Sequence, residues 1–153
     1  NSSKMHELLL SLDDTRLIDD TSGWFEQESN MFKSLHIYFK KIKINENIDK
    51  PIYISEFGGY SYKVDNHVFN PKHAYGDKYF KTREEYEEGF INLYKNEIIP
   101  IKDKLSAIIY TQVSDVEDEI NGLLTYDRKV LKVDAKQVSE VMKELQGGKW
   151  WIY

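Results

Sequence analysis

Strand-like and helix-like stretches alternate along this chain, and that alternation constrains the fold more than any other feature, because it predicts βαβ units around a parallel sheet. Met5, Leu8, Leu9 and Leu12 recur at spacings of three and four, so Lys4 to Leu12 reads as the end of a helix. Arg16-Leu17-Ile18 is a short strand candidate, closed by the polar run Asp19-Asp20-Thr21-Ser22-Gly23. Leu35-His36-Ile37-Tyr38-Phe39 is rich in β-formers, and Pro51-Ile52-Tyr53-Ile54-Ser55-Glu56-Phe57 more so, ending at Gly58-Gly59. Residues 60–80 read as a long aromatic and polar loop. Thr82-Arg83-Glu84-Glu85 has the form of a capping box. The helix it opens should run to about Ile99, carry Tyr86, Phe90, Leu93 and Tyr94 on one stripe, and stop near Pro100. Ala107-Ile108-Ile109-Tyr110-Thr111 is a continuous apolar run, as for a strand buried on both faces. Val133 to Leu145 reads as a last helix, ended by Gly147-Gly148.

The 153 residues suffice for one ordinary domain with a real core. The absence of cysteine excludes a disulfide scaffold, a thiol nucleophile and a Cys-ligated metal. With 21 basic against 26 acidic residues the net charge is −5, and no long Lys/Arg run is present; non-specific nucleic-acid binding, which rests on neutralising phosphates, is not expected. No apolar run approaches the roughly 20 residues of a membrane span, and no signal-peptide core is visible. The expected compartment is therefore the cytoplasm, with secretion of a longer parent left open. The sequence starts Asn1-Ser2-Ser3 without an initiating Met, so it is expected to be cut from something longer. The Asn-x-Ser pattern there reads as chance. None of the phosphate-loop, dinucleotide, zinc-protease or serine-hydrolase motifs occurs.

Parallel α/β folds place their chemistry beyond the carboxyl ends of the strands. Glu56 stands there, after a run of β-formers and before the turn at Gly58-Gly59. Strand alternation puts Ile52, Ile54 and Glu56 on one face, so the carboxylate would end a row of buried aliphatics. An acid in that place is costly unless paired or functional; the alternative is a strand-end glutamate pointing into solvent.

The stretch Tyr53-Ile54-Ser55-Glu56-Phe57-Gly58-Gly59 resembles the nucleophile strand of glycoside hydrolase family 2, the β-galactosidase and β-glucuronidase family. Its neighbours agree in order. Leu12-Asp13-Asp14-Thr15-Arg16 is similar to that family's Leu-Asp-Pro-Thr-Arg segment before the fifth barrel strand, with Asp14 in place of the usual Pro, and Ser22-Gly23-Trp24 resembles the stretch after it. His36-Ile37-Tyr38 looks like the end of the sixth strand. Tyr110-Thr111-Gln112 through Asp115-Val116-Glu117, with Asn121-Gly122-Leu123-Leu124-Thr125-Tyr126-Asp127-Arg128, resembles the eighth strand and its loop. The resemblance implies an α/β fold that is the C-terminal half, strands five to eight, of a (β/α)8 TIM barrel. A whole barrel takes about 250 residues, so residues 1–153 are expected to be one partial catalytic domain of a larger enzyme.

It also implies chemistry: a retaining β-glycosidase, β-galactosidase-like because that activity is common in the family. Glu56 would be the nucleophile, forming a covalent glycosyl-enzyme that water releases. Tyr38 would donate its hydroxyl to Glu56, holding the carboxylate ionised and oriented. The second carboxyl, the acid/base, is in the family the Glu of an Asn-Glu pair ending strand four. Asn45-Glu46 falls between strands six and seven and Asn96-Glu97 within the expected helix, so neither is in place, and the chain alone is expected to be inactive.

His36 either positions Glu56 or a sugar hydroxyl, or is a satisfied buried histidine. Gln112 stands where many relatives carry the Trp that stacks on the sugar, leaving Trp24 or Tyr60 as replacement platforms. His67 and His73 lie beside Tyr60, Tyr62, Phe69 and Tyr75 in a loop that either lines the cleft or packs on its own aromatics. Asp115, Glu117, Asp118 and Glu119 raise a calcium question, but an EF-hand loop wants Gly where Ile120 stands; no metal and no cofactor is expected. Trp150-Trp151-Ile152-Tyr153 reads as an apolar tail covering a barrel face or another domain. The expected partner is a β-glycoside, with self-association of the half-barrel through its open sheet edges. Two rival readings are a non-catalytic carbohydrate-binding piece on a degenerate barrel and an independent α/β domain of flavodoxin-like type.

Overall fold

A computed structural model describes residues 1–44 and 48–147. Asn45-Glu46, Gly148 and the tail from Trp150 to Tyr153 lie outside the described residues. The chain is mixed α/β. Three parallel strands, β1 (Lys33–Ile37), β2 (Ile52–Gly58) and β5 (Ala107–Thr111), form a sheet in the order β1-β2-β5. Two short strands, β3 (Tyr60–Tyr62) and β4 (Asp77–Phe80), pair in parallel beside it. They stand at the two ends of the stretch expected to be all loop. Their pairing spans residues far apart in sequence, which local pattern does not reveal.

Helices cover one face of the sheet. Thr82 caps α2 (Arg83–Leu93) in a reciprocal box: the Glu85 amide donates to Thr82 Oγ1 at 3.1 Å and the Thr82 amide to Glu85 Oε2 at 3.4 Å. The expected single helix to Ile99 is instead three segments, since α2 passes into a π-helical stretch at Tyr94–Ile98 and a 3-10 stretch at Ile99–Lys104. Pro100 sits at the start of the 3-10 stretch, where its missing N–H costs nothing. The stripe Tyr86, Phe90, Leu93 and Tyr94 is buried throughout. With α3 (Ala135–Leu145), capped by Asp134, these segments bury Ile37, Ile54, Phe57, Ile98 and Val141 in one apolar core.

The opposite face is polar and partly open. Ser34 Oγ and Ser55 Oγ lie 2.7 Å apart there, and Ser34 donates to Asp19 Oδ2 at 2.7 Å. The β5 run was expected to be buried on both faces, yet Ile109 is 49% exposed. Alternation turns Ile108 and Tyr110 into the helical core and Ile109 away from it. Residues 16–18 form no strand: Ile18 accepts one backbone bond from Met31 and no ladder follows, while Leu17 is exposed. The first helix, α1 (Ser2–Leu12), buries only His6 and leaves Met5, Leu8, Leu9 and Leu12 exposed.

Candidate functional site

The site begins with a flaw in the sheet. Along β1, Leu35 pairs with Ile54 and the next residue, His36, with Glu56; along β5, Ile54 pairs with Ile108 and Phe57 with Tyr110. On both sides β2 carries one residue more than its neighbour, a bulge of the kind that re-aims side chains. Its effect corrects the alternation expected from sequence. Phe57, not Glu56, follows Ile54 into the core, and Glu56 leaves the aliphatic row.

Glu56 emerges at the carboxyl end of the sheet with its side chain 43% exposed. Tyr38, just beyond β1, donates its hydroxyl to Glu56 Oε2 at 2.8 Å. The same phenol lies 2.9 Å from Thr111 Oγ1. Its one hydrogen goes to the carboxylate, so the threonine hydroxyl is the donor in the second contact. Burial pushes the Tyr38 phenol well above its ordinary pKa, and the Glu56 and Asp77 carboxylates add to the effect. Tyr38 therefore stays protonated at any physiological pH and remains a donor.

His36 reaches the same oxygen from the other side, with Nδ1 3.2 Å from Glu56 Oε2 and the side chain only 6% exposed. Its Nε2 lies 2.7 Å from Ser22 Oγ, and Trp24 meets the imidazole edge-on at 5.5 Å. Trp24 is itself exposed, so one of the two proposed platforms borders the site. Tyr60 packs tilted against Phe80 at 5.5 Å under Lys78 Nζ, 4.6 Å from the ring centre, and lines a cleft with Phe39 and Asp77 next to Tyr38. Phe39, next to Tyr38, is 82% exposed and holds a left-handed backbone with φ of +59°.

Gln112 follows a cis peptide bond after Thr111. Its amide donates to Asn121 Oδ1 at 2.6 Å and Glu119 Oε2 at 3.0 Å, which ties it to its own loop. Of the acidic cluster, Asp115 is paired with Lys132 at 2.7 Å inside the protein. Among the described residues no group of three or more His, Asp or Glu side chains is arranged to hold a metal ion. His67 Nδ1 lies 2.9 Å from Asp127 Oδ2 and Phe69 stacks on Tyr126 at 5.1 Å, so this loop packs on the loop after β5; His73 is exposed. Glu97, of the Asn96-Glu97 pair, accepts the Ile42 amide at 2.8 Å and serves the connection after β1. No described helix is long and apolar enough to cross a membrane.

Sequence reasoning missed three contributors. Ser22 was part of a matched stretch, but nothing marked its hydroxyl as the histidine's partner. Thr111 ends an apolar run and signals only strand. Asp77 begins β4 near Tyr38, in residues taken for loop; burial, then the Glu119 carboxylate, raise its pKa. Compared with known proteins, the chain matches no family model and no curated protein.

Proposed function

We propose that this chain is the C-terminal half of a retaining β-glycosidase barrel, with Glu56 as nucleophile. One observation carries the reading: a half-exposed carboxylate at the carboxyl end of a parallel sheet, gripped through one oxygen by a phenol whose ionisation burial disfavours. β1, β2 and β5 correspond to the sixth, seventh and eighth barrel strands. The segment around Asp19, which accepts Ser34 Oγ without pairing as a strand, takes the place of the fifth. The packing of α2 and α3 against one face, and the exposed Ile109 on the other, fit a sheet whose inner side belongs to a larger barrel.

In this mechanism Glu56 attacks the anomeric carbon. A carboxyl-oxygen bond to carbon forms as the bond to the leaving oxygen breaks, and a second carboxyl about 5–5.5 Å away gives that oxygen its proton. The same group then takes a proton from water as water displaces Glu56. Tyr38 orients the attacking group throughout. Neither metal nor organic cofactor enters these steps. The second carboxyl is assigned to the other half of the barrel, so this chain alone has no turnover.

The test uses the longer gene product containing this chain. It is incubated with 2-deoxy-2-fluoro-β-glycosyl fluorides of galactose, mannose and glucuronic acid, whose fluoride leaves without acid assistance. Peptide mapping should find one sugar ester, on Glu56, and Glu56→Gln should abolish both labelling and turnover. An ester on another carboxylate, or turnover by Glu56→Gln at the wild-type rate, refutes the assignment.

A further inference from the structure

Two side chains converge on one oxygen of Glu56, one by a hydrogen bond and one by an ion-pair contact. Tyr38 reaches Oε2 at 2.8 Å and His36 Nδ1 lies 3.2 Å from the same atom. Among the described residues no hydrogen bond falls on Oε1. The bulge creates this convergence, because it sets His36 directly opposite Glu56.

The imidazole is built in rather than merely near. Ser22 Oγ holds Nε2 at 2.7 Å, Trp24 packs on the ring edge, and Gly23 lies so close that a Cβ there would come within 1.8 Å of His36 Cδ2. Gly23 also has a φ of +40°, so both its space and its backbone favour glycine. His36 Nδ1 is buried and has no hydrogen-bond partner; Glu56 Oε2, 3.2 Å away but outside hydrogen-bond geometry, is the charged group it faces.

We propose that Ser22 and His36 form a positioning relay that fixes the tautomer of the imidazole, locks Glu56 by Oε2 and leaves Oε1 as the attacking oxygen. A neutral imidazole carries one N–H. On Nε2, that hydrogen would leave a bare Nδ1 lone pair facing a carboxylate oxygen, which is repulsive. On Nδ1, it points toward the Glu56 carboxylate, and Nε2 accepts the Ser22 hydroxyl hydrogen; each ring nitrogen then faces a group of complementary polarity. Two contacts on one oxygen stop the carboxylate from rotating, and a nucleophile held in place is worth much of the rate, since a misplacement of about 1 Å costs roughly 100-fold. His36 does not touch the sugar in this scheme; it acts through Glu56. The relay rests on Glu56 being the nucleophile, but its tautomer can be read without any substrate.

The chain labelled with 15N-histidine is examined by long-range proton–nitrogen correlation at neutral pH, with His36 assigned by substitution. Wild type should show Nδ1 protonated and Nε2 bare, and Glu56→Ala, which removes the carboxylate facing Nδ1, should give a mixture of tautomers. In the longer gene product, His36→Gln should slow labelling of Glu56 by roughly 100-fold. His36→Asn, whose amide can reproduce the Nδ1 donor, should recover most of that rate, which a role in packing alone would not predict. A wild-type Nε2–H tautomer, or equal rates for the Asn and Gln variants, overturns the relay even when Glu56 is labelled. The expected tautomer together with an unlabelled Glu56 upholds the locked carboxylate and overturns the glycosidase reading instead.

Discussion

Replacing Lys132 by Met tests the anchor of the loop that closes the carboxyl end of the sheet. Lys132 and Asp115 are 0% and 1% exposed, with Nζ 2.7 Å from Asp115 Oδ1. The ammonium also donates to the Ile120 carbonyl at 3.0 Å, and Asp115 Oδ1 takes the Gly122 amide at 2.8 Å. Burial lowers the lysine pKa and raises that of the aspartate, and each shift is opposed by the partner. Met keeps the unbranched apolar stem and removes the charge, leaving a carboxylate inside the protein with one amide donor. Breaking a buried pair in this way costs about 3–5 kcal/mol, a large part of the roughly 5–15 kcal/mol that holds a domain together. For a chain of this length that is a fall in Tm of roughly 6–20 °C.

Urea unfolding followed by intrinsic fluorescence measures the loss, with the m-value checked for constancy. The pH dependence identifies its cause. Without Lys132 the Asp115 pKa rises further above its unfolded value. A folded pKa raised in this way gives stability that is complete below the unfolded pKa and lost as pH rises through the folded one. The deficit of Lys132→Met should therefore be small near pH 4 and grow toward pH 7, and Asp115→Asn added to it should recover part of the loss at pH 7. A deficit below about 1 kcal/mol, or one of equal size at both pH values, refutes the reasoning.

Asp77 is also raised, by burial and by Glu119, so its ionisation works against the fold as pH climbs through its folded pKa. Asp77→Asn should raise unfolding stability at pH 7, by no more than about 1 kcal/mol after solvent screening, and change little near pH 4; an equal effect at both removes burial as the cause. Among the described residues no strand pairs with the outer edges of β1 and β5, and Ile109 and the apolar side of α1 are exposed. Sedimentation should therefore show the isolated chain associating at high concentration, and Ile109→Lys should weaken it; a monomer throughout contradicts the open-face reading.

What was legible in the sequence is local. The Thr82–Glu85 box and the stripe from Tyr86 to Tyr94 depend on neighbours three and four apart, and both are present. Glu56 and Tyr38 were singled out through a resemblance, and their meeting at 2.8 Å is a contact that periodicity does not foretell. What was not legible depends on distant chain. Arg16-Leu17-Ile18 has strand formers, but a strand exists only when a neighbour takes its hydrogen bonds. Ile109 reads as core because the run is unbroken, and no sequence says whether the second face has a cover.

The bulge in β2 reconciles two demands that a regular strand cannot meet. With strict alternation, burying Ile54 would bury Glu56 with it, and Phe57 would turn out of the core. An unpaired carboxylate among Ile54, Phe90 and Tyr94 would cost several kcal/mol. The extra residue lets Phe57 pack edge-on to Tyr94 and Tyr110, at 5.5 and 5.7 Å, while Glu56 turns to Tyr38 and His36. The displaced Ser55 is small enough to share the polar face with Ser34. Core and site are thus parts of one irregularity, and the apolar contacts of Phe57 supply the stability that keeps an acid aimed outward at the strand end.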